Sequence, residues 1–217
     1  MSSTHESRNF FLQGPAGKLE AVLWTPSAAA PEIAALVCHP HPLFGGTMHN
    51  KVVFQVAKAL DSLGIAVLRF NFRGAGLSEG SHDRGGGEVD DVRAALKFMA
   101  SEFAGTPLLV AGFSFGCWVG LRAGCESKQV GKLIGIGPPV NSSDFSYLRE
   151  CAKPKLFVHG ANDEFGDVGK VREMVASLAG ENELVVVDHV DHFFTGKIEE
   201  LGKAIREWLH PALRAEC

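Results

Sequence analysis

The chain has 217 residues, 46% of them hydrophobic and 21% charged, enough to bury one sizeable core and short for two. Its 21 basic and 25 acidic side chains sum to a formal charge of −4 without long runs, which excludes the basic stripe of a nucleic-acid binder. The 25 glycines exceed the typical share of about 7%, but they follow no Gly-X-Y period and the apolar content is high, so neither collagen nor a disordered chain fits.

Residues 1–8 are polar and run into Phe10-Phe11-Leu12, too short for a signal-peptide core. Strand-length patterns at 10–13 and 19–24 flank Gly14-Pro15-Ala16-Gly17, a hairpin signature. Residues 33–38 form a continuous apolar run, as expected of a strand buried on both faces. A helical stripe follows over 50–63 (Val52, Val53, Val56, Ala59, Leu60, Leu63), closed by Gly64. Residues 65–70 read as another buried strand, 73–87 as a glycine-rich loop and 88–103 as an amphipathic helix.

The second half repeats the theme. Strands are expected at 108–111, 132–136, 155–158 and 184–187, and helices at 115–123, 168–178 and 198–213. Two antiparallel strands followed by repeated strand–helix units imply an open, mostly parallel α/β sheet with helices on both faces, in a single domain over 1–217. No apolar stretch approaches the ~20 residues of a membrane span. Five cysteines, an odd number without a C-x-x-C pair, fit a reduced cytoplasmic protein better than a disulfide scaffold.

Gly112-Phe113-Ser114-Phe115-Gly116 matches G-x-S-x-G, with a strand entering and a helix leaving. That is the context of a nucleophile elbow, in which a strained turn presents the serine and small neighbours avoid clashes. A serine hydroxyl needs a base, and the base needs a carboxylate to orient it. In a nucleophile-elbow hydrolase the chain order is serine, acid, histidine. Asp163 follows the strand at 155–158, and His192 lies in Asp188-His189-Val190-Asp191-His192-Phe193-Phe194 after the strand at 184–187. His189 rivals His192 as base, while Glu164, Asp167 and, less so, Asp144 rival Asp163.

These motifs, with His159-Gly160-x-x-Asp163 and Asn71-Phe72-Arg73-Gly74-Ala75-Gly76-Leu77-Ser78-Glu79-Gly80, resemble the α/β-hydrolase superfamily. The resemblance runs from about Leu19 to Leu209. It is narrower to the small, cap-less, esterase-like branch near the dienelactone hydrolases and the serine-peptidase-like hydrolases. Dienelactone hydrolases use a cysteine nucleophile, and the serine here argues against that activity. The Phe193-Phe194 pair matches the family pattern and favours His192 as base. The acyl oxyanion needs two N–H donors, one of them the residue after the nucleophile, Phe115. Related esterases carry His-Gly-x-Pro after the first buried parallel strand and donate the N–H of x, which maps to His41 in His39-Pro40-His41-Pro42. Pro40 and Pro42 carry no N–H, which leaves Leu43 as the alternative donor.

The resemblance implies a serine hydrolase with no cofactor, whose partner is a small-molecule ester. A carboxylesterase of short-acyl esters is the leading reading. A thioesterase or small peptidase using the same residues, or a non-catalytic binding protein on the same fold, are the others. Only residues 138–154 separate two strands where larger relatives insert a lid, so no cap is expected.

The remaining features have plainer readings. His39, His41 and His49 lack an acidic or cysteine ligand at metal spacing and read as loop structure. Arg73 reads as a loop brace, because its loop lacks the ending of a phosphate-binding loop. Asp90 and Asp91 read as first-turn acids that complement a helix dipole. Gly116, Gly120 and Gly124 suggest close packing of helix on sheet, and Cys117 a buried small hydrophobe. Phe113 and Trp118 fit either an acyl pocket or the core, and oligomeric state is not legible.

Overall fold

The apolar runs pair into one eight-stranded sheet in a computed structural model that describes residues 5–27 and 29–210. Its elements in chain order are β1 (His5–Gly14), β2 (Gly17–Pro26), β3 (Ala34–Cys38), α1 (Lys51–Asp61), β4 (Ala66–Phe70), α2 (Gly86–Glu102), β5 (Leu108–Phe113), α3 (Phe115–Glu126), β6 (Val130–Ile136), β7 (Lys155–Gly160), α4 (Val168–Ala176), β8 (Asn182–Val187) and α5 (Ile198–Leu209). The expected end of the last helix at residue 213 lies outside the described residues.

The sheet order is β1-β2-β4-β3-β5-β6-β7-β8. The hairpin pairs antiparallel, β2 joins β4 antiparallel, and every pairing from β4 to β8 is parallel. This is the α/β-hydrolase fold with an antiparallel N-terminal hairpin and no cap. Side-chain alternation divides the core into two layers. Leu36, Leu68 and Val110 face α2, α3 and α4, while Ala35, Val67 and Leu109 face α1 and α5. The hairpin outruns its apolar signal. The stretch from His5 to Asn9 pairs residue by residue with β2, although its side chains are mostly solvated on this edge strand.

One reading changes in detail. The helix α2 starts at Gly86, so Glu88 is its first-turn acid, and Asp91 lies a turn deeper and fully buried. There Asp91 accepts from the Arg73 backbone N–H at 3.0 Å, from Nε at 3.0 Å and from Nη2 at 2.8 Å. Asp91 therefore anchors Arg73 and its loop to α2 rather than complementing a dipole. The segment between β6 and β7 carries a 3₁₀ turn, Ser146–Leu148, and no helical cap. Trp118 Nε1 donates to Asp144 O at 2.9 Å and Tyr147 OH donates to Trp118 O at 2.7 Å, tying the segment to α3.

Candidate active site

Parallel strands end together, so the loops that leave them converge along one edge of the sheet. Four such ends build the site. At the end of β5 the backbone turns sharply into α3, and Ser114 sits at the turn with φ 55° and ψ −119°. A non-glycine residue held there costs about 1–3 kcal/mol, so the surroundings must enforce it. The Ser114 N–H donates to Ile136 O at 2.9 Å, and its carbonyl accepts from Cys117 N at 2.9 Å and Trp118 N at 3.2 Å. A Cβ on Gly112 would come 2.2 Å from Gly116 O, and one on Gly116 would come 2.5 Å from the carbonyl oxygens of Cys38 and His39. Both glycines of G-x-S-x-G are thus steric requirements. Gly120 and Gly124 continue the close approach, facing Cys38 Sγ and Leu133 Cδ2.

The loop after β3 crosses in front of this elbow. Phe44 N and Gly46 N both donate to His41 O at 3.1 Å, and a Cβ on Gly46 would lie 2.1 Å from Pro40 O. The His41 ring packs on Phe115 with centroids 4.8 Å apart. Its Nδ1 accepts from Leu43 N at 3.3 Å, so the N–H of the alternative oxyanion donor is already engaged. Partial burial, with His82 beside it, moves the His41 pKa down and favours a neutral ring. The Phe115 N–H, at the first position of α3, has no intrahelical acceptor. His39 lies beneath, fully buried, with Nδ1 on Pro40 O at 2.6 Å and Nε2 on Phe72 N at 2.9 Å.

The loops after β7 and β8 lock onto each other. Asn162 N donates to Val190 O at 2.9 Å, and a Cβ on Gly160 would come 2.5 Å from that same oxygen. The interlock brings Asp163 Oδ2 to 2.7 Å from His192 Nδ1, both side chains being buried. Asp163 Oδ1 accepts from Phe165 N at 2.8 Å and Gly166 N at 3.2 Å. The imidazole of His192 is held between Phe113, 4.8 Å away, and Phe165, 4.6 Å away. Ser114, Phe115, His41 and His192 line one open pocket of about 440 Å³, whose mouth carries the exposed rings of Phe44, Phe165 and Phe193.

The rivals lie elsewhere. His189 is exposed in a left-handed turn, Glu164 is exposed, Asp167 caps α4 by accepting from Lys170 N, and Asp144 bonds Ser146. Phe113 is core and forms the floor under His192, whereas Trp118 packs against Gly85 away from the pocket lining. Three contributors have no role assigned from the sequence: Gly137, His159 and Phe165. Gly137 closes β6 with φ 51°, and a Cβ there would lie 3.1 Å from His192 Nδ1. A lone glycine after an apolar strand was the available signal. His159, buried beside Asp163, donates Nε2–H to Gly166 O at 2.7 Å.

Fold and site together define a cap-less α/β hydrolase of the serine type. The family model for serine aminopeptidase, S33, matches residues 31–153, and the chain belongs to that family. The match ends before Asp163 and His192, so the pairing of these two is drawn from geometry. The chain is similar to an α/β serine hydrolase homologue from Coxiella burnetii, with 40% identity, a TM-score of 0.88, and coverage of 93% of this chain and 97% of that one. It is similar also to XC6422 of Xanthomonas campestris, described as an α/β serine hydrolase without lid, with 39% identity, a TM-score of 0.86, and coverage of 94% and 95%. Uncharacterized protein RP471 of Rickettsia prowazekii is 37% identical over 211 residues, 92% of this chain and 87% of that protein. Among the described residues no helix is long and apolar enough to cross a membrane.

Proposed function

We propose that the protein is a carboxylesterase of small esters, working through an acyl-enzyme on Ser114. The observation that carries the reading is the Asp163–His192 pair, 2.7 Å apart, converging on the pocket that the strained Ser114 also lines. Asp163 holds the Nδ1 proton of His192, which leaves Nε2 unprotonated and able to take the Ser114 hydroxyl proton as Oγ attacks the acyl carbon. Negative charge then develops on the carbonyl oxygen, and the N–H groups of His41 and Phe115 receive it. His192 returns the proton to the leaving alcohol, and water repeats the sequence to release the acid.

The pocket lining favours esters over aminopeptidase substrates. A facing carboxylate would favour a free N-terminal ammonium, and among the described residues no Asp or Glu lines the pocket. Shallow grooves elsewhere, of about 490 Å³ beside the end of α3 and 810 Å³ along β1, carry neither histidine nor cysteine in their linings.

A fluorophosphonate probe should label wild type and fail on Ser114→Ala. The same substitution should cost about 10⁴-fold or more in kcat/KM on p-nitrophenyl butyrate. Folded wild type that takes no label sinks the enzyme reading. Faster cleavage of aminoacyl anilides than of esters assigns the peptidase reading instead, and faster cleavage of short acyl thioesters the thioesterase reading.

A further inference from the structure

A second cluster of reactive side chains lies outside the pocket, at the opposite end of the nucleophile helix. Cys125 is in the last turn of α3, half-buried, and Cys151 lies in the segment leading into β7. Both are free thiols, Cys125 packs against the same buried cluster that contains Cys151, and the two segments meet where Lys153 reaches the carbonyl of Gly124. Two lysines fix the segment against the helix. Lys153 Nζ donates to Gly124 O at 2.6 Å and to Ser127 O, across the end of α3. Lys155 is fully buried, and its Nζ donates to Cys151 O, to Lys153 O at 2.8 Å, to Ala179 O at 2.9 Å and to Asn182 Oδ1 at 3.1 Å. Among its described contacts this ammonium meets four oxygen acceptors and no carboxylate, so its positive charge acts on the adjacent thiols.

We propose that Cys125 and Cys151 form a redox-active dithiol, a modification site that hydrogen peroxide converts to an intramolecular disulfide. Cys151 is the attacking sulfur. The adjoining Cys125 thiol, the backbone N–H of Lys153 and the two ammonium groups favour its thiolate and move its pKa down, while the same pairing moves that of Cys125 up. The Cys151 thiolate attacks one peroxide oxygen, the O–O bond breaks, and hydroxide leaves, giving a sulfenic acid. The Cys125 sulfur then attacks the Cys151 sulfur, its proton goes to the departing hydroxyl, and water leaves as the S–S bond forms. Two thiols lose two electrons and one peroxide becomes two waters. Cys38 and Cys117 are fully buried, and burial pushes both thiols up, so they serve as internal controls.

The test uses the full chain with Cys217→Ser, treated with hydrogen peroxide and mapped by mass spectrometry without reduction. We expect loss of two hydrogens, a Cys125–Cys151 cross-linked peptide, two thiols left to titrate, and reversal by dithiothreitol. Cys125→Ser should trap a dimedone-reactive sulfenic acid on Cys151, formed about tenfold faster than any adduct on Cys125 in Cys151→Ser. Circular dichroism and the thermal midpoint verify that each variant is folded. Four intact thiols after treatment, a cross-link between chains, or equal reactivity of the two single variants would overturn the proposal.

Discussion

Asp163 lies between two imidazoles, and the protons around it decide which one it serves. His159 Nδ1 is 3.6 Å from Oδ2, but its Nε2 is placed to donate to Gly166 O, and burial moves its pKa down. A neutral ring protonated on Nε2 turns a lone pair toward the carboxylate, so no bond forms there. His192 Nδ1, at 2.7 Å, is the ring that donates to Asp163. Replacing Asp163 by Asn would put an amide donor beside Nδ1 and drive His192 to the Nε2-protonated tautomer, which cannot accept the serine proton. We expect Asp163→Asn to lower kcat/KM on short esters by about 10³–10⁴-fold with an unchanged circular dichroism spectrum. Retention of more than a tenth of the activity would remove Asp163 from the mechanism. The candidate serine, acid and base can be named from the sequence because each sits in a short local pattern at a strand end. The role of His159 was not legible, because it depends on the backbone carbonyl of Gly166, which folding brings to it.

Contacts between elements were the least legible layer. The continuous apolar runs 33–38 and 65–68 announced β3 and β4, since strands buried on both faces carry no alternation to misread. What joins their ends did not show. His39, at the end of β3, accepts the Phe72 N–H on Nε2 and donates Nδ1–H to Pro40 O, so both ring nitrogens are occupied only in the neutral form. Burial accordingly pushes its pKa down to about 3, from an ordinary value near 6.5. The unfolded chain takes up a proton here below about pH 6.5, which the folded chain refuses until near pH 3. Stability from this group is therefore full above pH 6.5 and falls as the pH drops through that window. His39→Gln keeps an acceptor and a donor without the titration. Between pH 6.5 and 5 wild type should lose about 1.5 kcal/mol more unfolding free energy than the variant, by urea denaturation. Parallel losses would mean that His39 does not titrate as its surroundings require. Arg73 with Asp91, and Cys125 with Cys151, escaped the sequence for a related reason: neither spacing follows a local period, and only the packing of loop on helix makes them neighbours.

Topology places every candidate group on one edge of the molecule. His41 follows β3, Ser114 follows β5, Asp163 follows β7 and His192 follows β8, and all four strands are parallel. The link from β6 to β7 is the one that could have covered this edge, and in this chain it lies low. It lends Pro139, Ser142 and Ser143 to the pocket wall and is pinned to α3 through Trp118 and Tyr147. The mouth consequently stays open, with Phe44 86% exposed, and an acyl chain that outgrows the pocket extends into water rather than under a lid. Each further methylene inside a pocket gains about 0.8 kcal/mol, but one outside it gains little. The kcat/KM for p-nitrophenyl esters should therefore rise from acetate to about butyrate or hexanoate, then level off or fall by dodecanoate. An enzyme without a lid also has nothing for an interface to open. Its rate on tributyrin should pass through the solubility limit without a jump, measured by acid release against substrate concentration. A continued rise in kcat/KM to dodecanoate, or a jump at the limit, would show a longer acyl channel or a mobile cover that this fold does not supply.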